Sequence, residues 1–468
     1  MNYASVVRIL ALVMLILAGS SVPAILTALV HGENEQVFAF LAMVLGISVI
    51  STSILFLTPK PSQKARPSDA LGLVILWWFL APVAACLPFV VGVQNASLLQ
   101  AIHEATACLT TTGQSVIAVE GNLWPASLIV WRGTLHLLGA SASIIVAASV
   151  LAALNLGGPG IHRSELFVMP ETSFFDAVPK VARSVILIMV VSITLTVLAL
   201  ELASVSPGRA MSDAVSVWTT GLVDPAPYGR ANAGAVADVI LAIGLVGGAL
   251  GLAIALPLRE RRFLKALTDP ELRVFVLLVL IFTAMAVFSG LKVIESLGWS
   301  ISALATSGLP LGSSDTWDKV PLPVFVLPAL IGGSALSAAG GVKIARLIVL
   351  SRRAGMEFRQ LGYRRSVLGF QFRDREMNER SVIGVWVYLI AYILSVFLVM
   401  LGFTFTGVPF ESSIRLAIGC LTNSGGLVIG HVAQLDQAAS ILAIFSMLLG
   451  RLEILAIIPA ISVSFWRG

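Results

Sequence analysis

Long apolar segments separated by short polar stretches make up the whole chain. The first two segments, Ile9–Val30 and Val37–Pro59, contain 22 and 23 residues and no Asp, Glu, Lys or Arg. About 20 apolar residues allow a helix to cross a bilayer, so the pattern predicts an all-α membrane protein that begins with a transmembrane hairpin. A secretory signal peptide is the alternative for the first segment, but that segment exceeds the usual length of roughly 7–15 apolar residues, and a second span follows directly.

Four short segments between the later spans end in the same way, with a hydroxyl-rich turn that is closed by glycine. A short helix candidate precedes each turn. Irregular backbone at membrane depth is stable only where it is buried in protein or lines a water-filled cavity, so four such turns indicate the four walls of one pore. The turns are Thr110–Gly113, Thr219–Gly221, Thr306–Gly308 and Thr422–Gly425, and the helix candidates are Leu98–Leu109, Ala210–Trp218, Glu295–Ala305 and Glu411–Leu421.

The residue types in these turns suit a dehydrated monovalent cation. Such an ion needs a cage of oxygens in place of its water; glycine allows backbone carbonyls to face inward, and Thr or Ser hydroxyls add further oxygens. The carbonyl end of each short helix would also favour a cation. A single Thr-Thr-Gly is usually an ordinary turn, but fourfold recurrence at one topological position favours a selectivity filter. The predicted filter residues are Thr111, Thr112, Gly113, Thr219, Thr220, Gly221, Thr306, Ser307, Gly308, Asn423, Ser424 and Gly425.

The second turn differs from the first in its spacing. Eight positions separate Ala105 from Gly113, whereas seven separate Ala214 from Gly221. The sequence therefore leaves open which residue of the second turn corresponds to Gly113.

The order of elements repeats after the leading hairpin. Each unit reads as a long span, a short helix with its glycine turn, a second long span and a basic link, and the unequal spacing of the turns indicates divergent repeats. The predicted divisions are residues 1–67 for the leading hairpin and a cytoplasmic link, 68–156 for pore repeat 1, 157–257 for a link and pore repeat 2, 258–352 for a link and pore repeat 3, and 353–468 for a cytoplasmic link and pore repeat 4.

Composition and charge fit a membrane protein with a defined orientation. Hydrophobic residues make up 57% of the chain, charged residues make up 12%, and the mean hydropathy is +0.95, which excludes an ordinary soluble domain. The net charge of +5 arises from short basic stretches between spans, such as Pro59–Pro67, Arg259–Arg273 and Arg352–Arg380, whereas Gln94–Leu123 lacks Lys and Arg. The positive-inside rule predicts that the basic stretches and the N-terminus are cytoplasmic and that the glycine turns face outward. Membrane lipid, not nucleic acid, is the expected partner of these charges.

Three sequence segments carry a resemblance to a known family. They are LWWFLAPVAACLPF at Leu76–Phe89, which runs into IHEATACLTTTG, WPASLIVWRGTLHLLG at Trp124–Gly139, and MLLGRLEILAIIPAISVSFWR at Met447–Arg467. With these segments the chain resembles, over nearly its whole length, the membrane subunit of Trk-type potassium transporters in the Trk/Ktr/HKT superfamily. The two leading spans favour the Trk type over the Ktr type.

This resemblance implies two leading transmembrane helices and four M1–P-loop–M2 repeats, arranged pseudo-fourfold around one central pore. It also implies potassium uptake across the plasma membrane with K+ bound at the filter residues, a homodimer, and a cytosolic nucleotide-binding ring that docks on Gly355–Arg380 and the other basic loops. A solvated loop in contact with anionic headgroups is the alternative for that surface. The sequence contains no nucleotide-binding fingerprint, so the chain itself is expected to be neither an enzyme nor a pump.

The resemblance further implies a gate in the second span of repeat 3, where Gly332–Gly341 reads GGSALSAAGG. Four glycines and two serines weaken a helix interior, so the residues favour an intramembrane loop, and a close helix-packing face is the alternative. Arg451 lies inside an apolar span, where arginine is destabilising and by default functional, and the resemblance places it in the pore below the filter. A structural ion pair with Glu453 is the alternative. The predicted gate residues are Gly332, Gly333, Gly340, Gly341, Lys343 and Arg451.

Three other polar side chains are expected to be structural. Arg132 lies near the outer end of its span, from which it could snorkel to the interface. His103 and His136 lack partners at metal-ligand spacing and are expected to pack or to form hydrogen bonds. Three functions stay open beside potassium uptake: a sodium or other monovalent cation channel of the same fold, a secondary transporter for an organic solute, and a non-conducting membrane sensor.

Overall fold

Helices dominate the part of the chain that the structure, a computed structural model, describes. The described residues are 3–59, 67–93, 96–117, 124–153, 174–225, 234–259, 266–311, 320–362, 371–372, 375–376, 379–432 and 435–452. Their only strands are β1 (Gln371–Phe372) and β2 (Arg375–Glu376), an antiparallel pair in the link before the last unit. The predicted all-α class is therefore confirmed, with this small hairpin as an addition. Much of the predicted basic links, including residues 60–66 and 260–265, lies outside the described residues.

The leading hairpin consists of a first span made of two consecutive helices and a second span made of one. α1 (Tyr3–Gly19) and α2 (Val22–His31) form the first span, and α3 (Asn34–Leu57) forms the second. Pro23 lies in the first turn of α2, where its missing N–H has no intrahelical partner to lose.

The acidic tip of the hairpin is fixed to a later helix. The Glu33 carboxylate accepts hydrogen bonds from the backbone N–H groups of Ala126 (2.8 Å) and Ser127 (3.2 Å). These groups open a helix and have no partner within it, so the carboxylate satisfies them and complements the helix dipole.

Four units follow the hairpin, and each contains a long first helix, a short helix that ends in a turn, and a second helix. Units 1 and 2 contain α4 (Pro67–Ala85), α5 (Leu87–Gly92), α6 (Leu98–Leu109) and α7 (Ala126–Ala153), then α8 (Phe174–Leu202), α9 (Pro207–Thr219), α10 (Ala235–Leu250) and α11 (Leu252–Arg259). Units 3 and 4 contain α12 (Pro270–Phe288), α13 (Val293–Leu304), α14 (Leu322–Ile331) and α15 (Ile344–Gly362), then α16 (Glu379–Phe405), α17 (Phe410–Thr422) and α18 (Gln437–Leu452).

The four short helices α6, α9, α13 and α17 begin and end within three residues of the predicted ones. Local sequence explains their starts. A capping box opens α6, because the Ser97 hydroxyl accepts from the Gln100 N–H and the Gln100 side chain accepts from the Ser97 N–H. Pro207 opens α9 at a position where proline is tolerated.

The second helices depart from the predicted continuous spans. Seven described helical segments are long and apolar enough to cross a membrane: both spans of the leading hairpin, the first helix of each unit, and α7. In unit 2 the second helix breaks at Gly251 (φ 50°, ψ −127°), so the prediction of one long span is wrong there. In unit 3 non-helical backbone separates α14 from α15 over residues 332–343. The predicted loop is thus confirmed, and the helix-packing alternative is wrong.

The units pack into a closed ring. The second helix of each unit lies against the short helix of the next: α7 on α9, α10 on α13, α14 on α17, and α18 back on α6. Outward faces of α3, α8, α12 and α16 expose large apolar side chains, as a lipid-facing surface requires. The four short helices consequently end around one centre.

Candidate functional site

Each of the four short helices leads into one residue with left-handed backbone. These residues are Thr111, Thr220, Thr306 and Asn423, with φ of 60°, 53°, 58° and 53°. This conformation is uncommon outside glycine and persists where the surrounding structure holds the backbone in place. All four residues are at most 1% exposed, so the turns, numbered 1 to 4 by unit, lie inside the protein.

The left-handed residue fixes the register between the turns. In each turn a following backbone N–H bonds to the carbonyl oxygen four residues before the left-handed residue: Gly113 to Ala107, Gly221 to Ser216, Ser307 to Ser302, and Ser424 to Gly419. Counted from that residue, the second position holds Gly113, Gly308 and Gly425 in turns 1, 3 and 4. In turn 2 it holds Leu222. The shorter spacing in the sequence therefore marks a glycine that is displaced by one position.

Gly221 lies one position earlier, where turn 1 has Thr112. A Cβ on Gly221 would lie 2.5 Å from both Cδ2 of His136 and the carbonyl oxygen of Thr111. Because real Cβ atoms do not approach so closely, only glycine fits between the imidazole and the neighbouring turn.

The turns are of two kinds. In turns 1 and 3 the glycine is also left-handed, with φ of 74° at both Gly113 and Gly308. In turns 2 and 4 the corresponding residues, Leu222 and Gly425, do not have positive φ, and the short helix runs directly into the left-handed residue. The backbone of the ring is therefore closer to twofold than to fourfold symmetry.

Three of the four junctions between neighbouring turns involve only turn residues. A side-chain hydrogen bond joins turn 2 to turn 3, and another joins turn 4 to turn 1. Between turns 3 and 4, glycine backbone packs directly on glycine backbone. Ser307 Oγ donates to the carbonyl oxygen of Gly221 (3.1 Å), Asn423 Nδ2 donates to Thr112 Oγ1 (3.1 Å), and a Cβ on Gly308 would overlap the backbone of Gly426.

At the fourth junction the backbone of Leu222 lies directly against Gly113, and the guanidinium of Arg132, from α7, adds hydrogen bonds to both turns. It donates to the carbonyl oxygens of Gly113 (2.6 Å), Leu222 (3.2 Å) and Val223 (2.7 Å), and it pairs with the carboxylate of Glu104. Arg132 and Glu104 are both 0% exposed. Arg132 therefore does not snorkel to the interface, because two turns offer it carbonyl oxygens and Glu104 offers it the opposite charge, but these contacts agree with the structural role expected for it.

We expect single substitutions in this ion pair to destabilise the fold strongly. Arg132→Met leaves the buried Glu104 carboxylate without its counter-ion, Glu104→Gln leaves the buried guanidinium without its own, and breaking such a pair costs about 3–5 kcal/mol. The double variant should lose less than the sum of the single variants, because neither charge is then unpaired. The midpoint of thermal unfolding in detergent measures each loss.

The pair Arg353–Glu357 on α15, whose side chains are 26% and 54% exposed and whose N–O distance is 2.7 Å, provides the matched control. Arg353→Met should change the midpoint little, since exposed pairs contribute roughly 0–1 kcal/mol. Equal losses in Arg132→Met and Arg353→Met would contradict the role given to the buried pair.

The glycine loop, which we define as residues 332–343, contacts the ends of the short helices. The N–H of Gly340 donates to Thr306 Oγ1 in turn 3 (2.9 Å), and a Cβ on Gly340 would overlap the carbonyl oxygen of Thr422 in turn 4. Gly332 lies against the backbone of Gly340 and Gly341, so the two Gly-Gly pairs close the loop on itself.

The same loop is held by the helix break of unit 2. The N–H of Ser334 donates to the carbonyl oxygen of Ala249 (2.8 Å), and the N–H of Leu252 donates to that of Leu336 (3.0 Å). Both partners in unit 2 flank Gly251, whose break frees the backbone groups for these bonds. Gly333 packs here, and a Cβ on it would overlap the oxygen of Ala249.

Arg451, from α18, connects the glycine loop to turn 1. Its Nε donates to the carbonyl oxygen of Thr110 and its Nη1 to that of Ala338, both at 2.5 Å, and its Nη2 donates to Thr111 Oγ1. The predicted ion pair with Glu453 stays a prediction, because Glu453 lies outside the described residues.

A small cavity of about 40 Å³ beside the loop is lined by Lys343, Arg451 and Tyr388, among others. It has room for a few water molecules. Lys343 turns back onto the loop, where its Nζ donates to the carbonyl oxygens of Ala339 and Ser337. Two positive charges and no acidic side chain lie among the described lining residues, so this cavity repels a cation.

Three glycines that sequence analysis did not single out allow the second helices to pass the short ones. A Cβ on Gly139, Gly248 or Gly450 would overlap the carbonyl oxygen of Leu109, Val217 or Leu421, respectively. A signal was present in the sequence, since Leu-Leu-Gly occurs in both α7 (137–139) and α18 (448–450).

The two histidines form hydrogen-bond contacts, as predicted. Nδ1 of His103 lies 2.9 Å from Ser440 Oγ, and its Nε2 lies 3.1 Å from Nε2 of Gln114. Nδ1 of His136 lies 2.8 Å from the carbonyl oxygen of Arg132. The described residues contain no group of three His, Cys, Asp or Glu side chains that could hold a metal ion.

Known proteins similar to this chain match it from end to end. No family model matches. The Trk system potassium uptake protein TrkH of Salmonella typhimurium is 27% identical, and that of Escherichia coli is 26% identical, over 100% of both chains in each case. TrkG of Escherichia coli is 25% identical over 96% of both chains. The crystal structure of the potassium transporter TrkH from Vibrio parahaemolyticus has the same fold, with a TM-score of 0.86, 24% identity and 100% coverage of both chains. The resemblance to Trk-type membrane subunits is therefore confirmed.

Proposed function

We propose that this chain, similar over its whole length to Trk-type membrane subunits, takes up potassium across the plasma membrane through its ring of four turns. One observation carries the proposal: four buried turns at the ends of four short helices contact each other all the way round. A closed ring of backbone carbonyls and hydroxyls suits a dehydrated monovalent cation, and α6, α9, α13 and α17 direct their carbonyl ends toward it. The chain acts as a transport subunit and not as an enzyme.

The twelve predicted filter residues hold the potassium ion as transported cargo. Eight of them contribute backbone or hydroxyl oxygens, because each turn supplies its left-handed residue and the residue that follows it. These eight are Thr111, Thr112, Thr220, Gly221, Thr306, Ser307, Asn423 and Ser424. Their burial supports this assignment, because a dry ring holds a cation by its own oxygens and not by water. The residues are those of the four turns named above.

The glycine loop and Arg451 form the gate on the inner side of this ring. The support is the bond of Arg451 to both Thr110 and Ala338, which ties the loop to turn 1. Lys343 adds a second positive charge to the same space. A cation that leaves the ring must displace the loop and pass both charges.

A homodimer in the plasma membrane, with its N-terminus in the cytoplasm, is the assembly we infer, and a cytosolic nucleotide-binding ring regulates it. The basic face of α15, continued by the link before unit 4, is the docking surface. Phe358 and Leu361 on this helix are 75% and 78% exposed beside Arg352 and Arg359, which suits a protein partner, with anionic lipid as the competitor. The functional divisions follow the five ranges given by the sequence, 1–67, 68–156, 157–257, 258–352 and 353–468.

One alternative has a specific observation in its favour. Leu222 replaces a filter glycine, which is expected of a chain that keeps the fold as a non-conducting sensor. A sodium or other monovalent cation channel of the same fold is the second alternative, and ion competition separates it from potassium uptake.

Rubidium uptake into proteoliposomes that contain only this chain tests the proposal. We expect uptake that unlabelled potassium competes with more strongly than sodium does, because a dehydrated-ion cage discriminates by size and oxygen number. Empty liposomes provide the blank. Stronger competition by sodium would favour the sodium channel, and folded protein without any uptake would favour the sensor.

A further inference from the structure

Turn 2 differs from the other three turns at the position of the filter glycine. The register set by Thr220 puts Leu222 where turns 1, 3 and 4 have Gly113, Gly308 and Gly425. Turn 2 thereby gains an isobutyl group at this position. At the preceding position it loses a hydroxyl, since Gly221 stands where the other turns have Thr or Ser.

The side chain of Leu222 extends toward the opposite turn. Turns 2 and 4 share no junction, because turn 1 lies between them on one side and turn 3 on the other. Even so, Cδ1 of Leu222 lies 2.9 Å from the place that a Cβ on Gly425 would take. Leu222 is 1% exposed and belongs to a buried apolar cluster with Val217 of α9 and Leu241 of α10, so its isobutyl group is enclosed by protein where it approaches turn 4.

Two carbonyl oxygens at this level are also engaged by an arginine side chain. The guanidinium of Arg132 donates to the carbonyl oxygens of Gly113 (2.6 Å) and Leu222 (3.2 Å), so these oxygens face α7. A cation beside the second position of the turns would therefore face the apolar side chain of Leu222, whereas the preceding positions offer carbonyl and hydroxyl oxygens. Burying a cation against apolar groups is unfavourable unless other oxygens replace its water.

We infer that Leu222 is the permeation-limiting residue of the ring: its side chain obstructs the cation path at turn 2, opposite Gly425, and must move aside for each ion. This inference rests on the proposed function, since it assumes that cations pass through the four turns. It assigns a barrier within the ring to a residue outside the predicted filter set, in addition to the barrier at the gate.

A graded series at this position tests the inference. The measured quantity is rubidium uptake into proteoliposomes, normalised to folded protein. Leu222→Met should take up rubidium at about the rate of the parent chain, Leu222→Ala should be faster, and Leu222→Gly should be the fastest. We expect about a tenfold rise for Leu222→Gly, which corresponds to about 1.4 kcal/mol in the barrier. Methionine conserves the side-chain volume, so it reports on chemistry without opening the path. Alanine keeps the restricted backbone, so it remains informative where glycine loosens the turn.

Leu245→Ala provides the matched control, because Leu245 belongs to the same apolar cluster as Leu222 but lies in α10, away from the turns. It removes the same atoms as Leu222→Ala and should lower the unfolding midpoint without raising uptake. If the parent chain takes up rubidium and folded Leu222→Ala and Leu222→Gly take it up no faster, the inference is overturned and the proposed function stands. If neither the folded parent chain nor folded Leu222→Gly takes up rubidium, both the inference and the proposed function are overturned.

Discussion

Replacing Gly113 or Gly308 by serine should reduce potassium uptake by about 100-fold, the scale on which displacements of about 1 Å act in pre-organised sites. Both glycines have φ of 74°, which side chains rarely adopt. A Cβ on Gly113 would overlap the backbone of Leu222, and one on Gly308 would overlap that of Gly426. In each case the added atom pushes directly on the neighbouring turn, so the oxygen ring must widen or tilt. Growth of a potassium-uptake-deficient host on low potassium, together with rubidium and sodium fluxes in proteoliposomes, measures the loss of rate and preference.

Gly290→Ser separates this effect from backbone strain alone. Gly290 also has positive φ (96°), but a Cβ there would meet no atom within 4 Å, and the residue lies in the turn between α12 and α13. We expect this variant to transport at nearly the parent rate. Parent-like rate and selectivity in both Gly113→Ser and Gly308→Ser would rule out the turns as the filter.

Arg451→Gln should raise rubidium flux by about 10- to 100-fold. A fixed positive charge repels a cation by about 4 kcal/mol at 4 Å for an effective dielectric near 20, and solvation by cavity water lowers this barrier. Deletion of Ser337–Ala339 should raise the flux as well, because it removes the carbonyl group of Ala338 that Arg451 binds and the two that Lys343 binds. The combined variant should gain less than the product of the single gains, since both changes act on one barrier.

Arg209→Gln is the charge-matched control for this experiment. Arg209 lies in the first turns of α9, its side chain is 30% exposed, and its neutralisation should leave the flux near that of the parent chain. Size-exclusion profiles normalise each flux to folded protein. If Arg451→Gln instead lost the folded fraction, Arg451 would be a structural contact between turn 1 and the loop. If the gain of the combined variant equalled the product of the two single gains, the loop and the arginine would form separate barriers.

Local patterns in the sequence were sufficient to predict where the elements lie. Helix ends at the four turns were predicted within three residues, because capping residues, prolines and the Thr-Gly turns act over a few neighbouring positions. The glycine loop was predictable for the same reason, since four glycines and two serines in ten residues weaken any helix. The membrane class followed from composition alone.

Arg132 shows where sequence reasoning failed. Its position near the end of an apolar span fits a snorkelling side chain, and nothing local distinguishes that from burial. The three carbonyl oxygens that it binds come from residues up to 91 positions away in the chain, and its carboxylate partner comes from a different helix. Only packing of α7 against both α6 and α9 brings these groups together.

By itself the sequence determined the leading hairpin, the first helix of each unit, the four short helices, their turns and the loop, because hydrophobic length and turn chemistry are local properties. The tertiary structure decided the register of turn 2, and with it the identity of the residue facing Gly425. A shift of one residue leaves the apolar pattern almost unchanged, so the sequence could not assign it. The left-handed backbone of Thr220 could, because Leu222 then takes the second position after it, where turns 1, 3 and 4 have glycine.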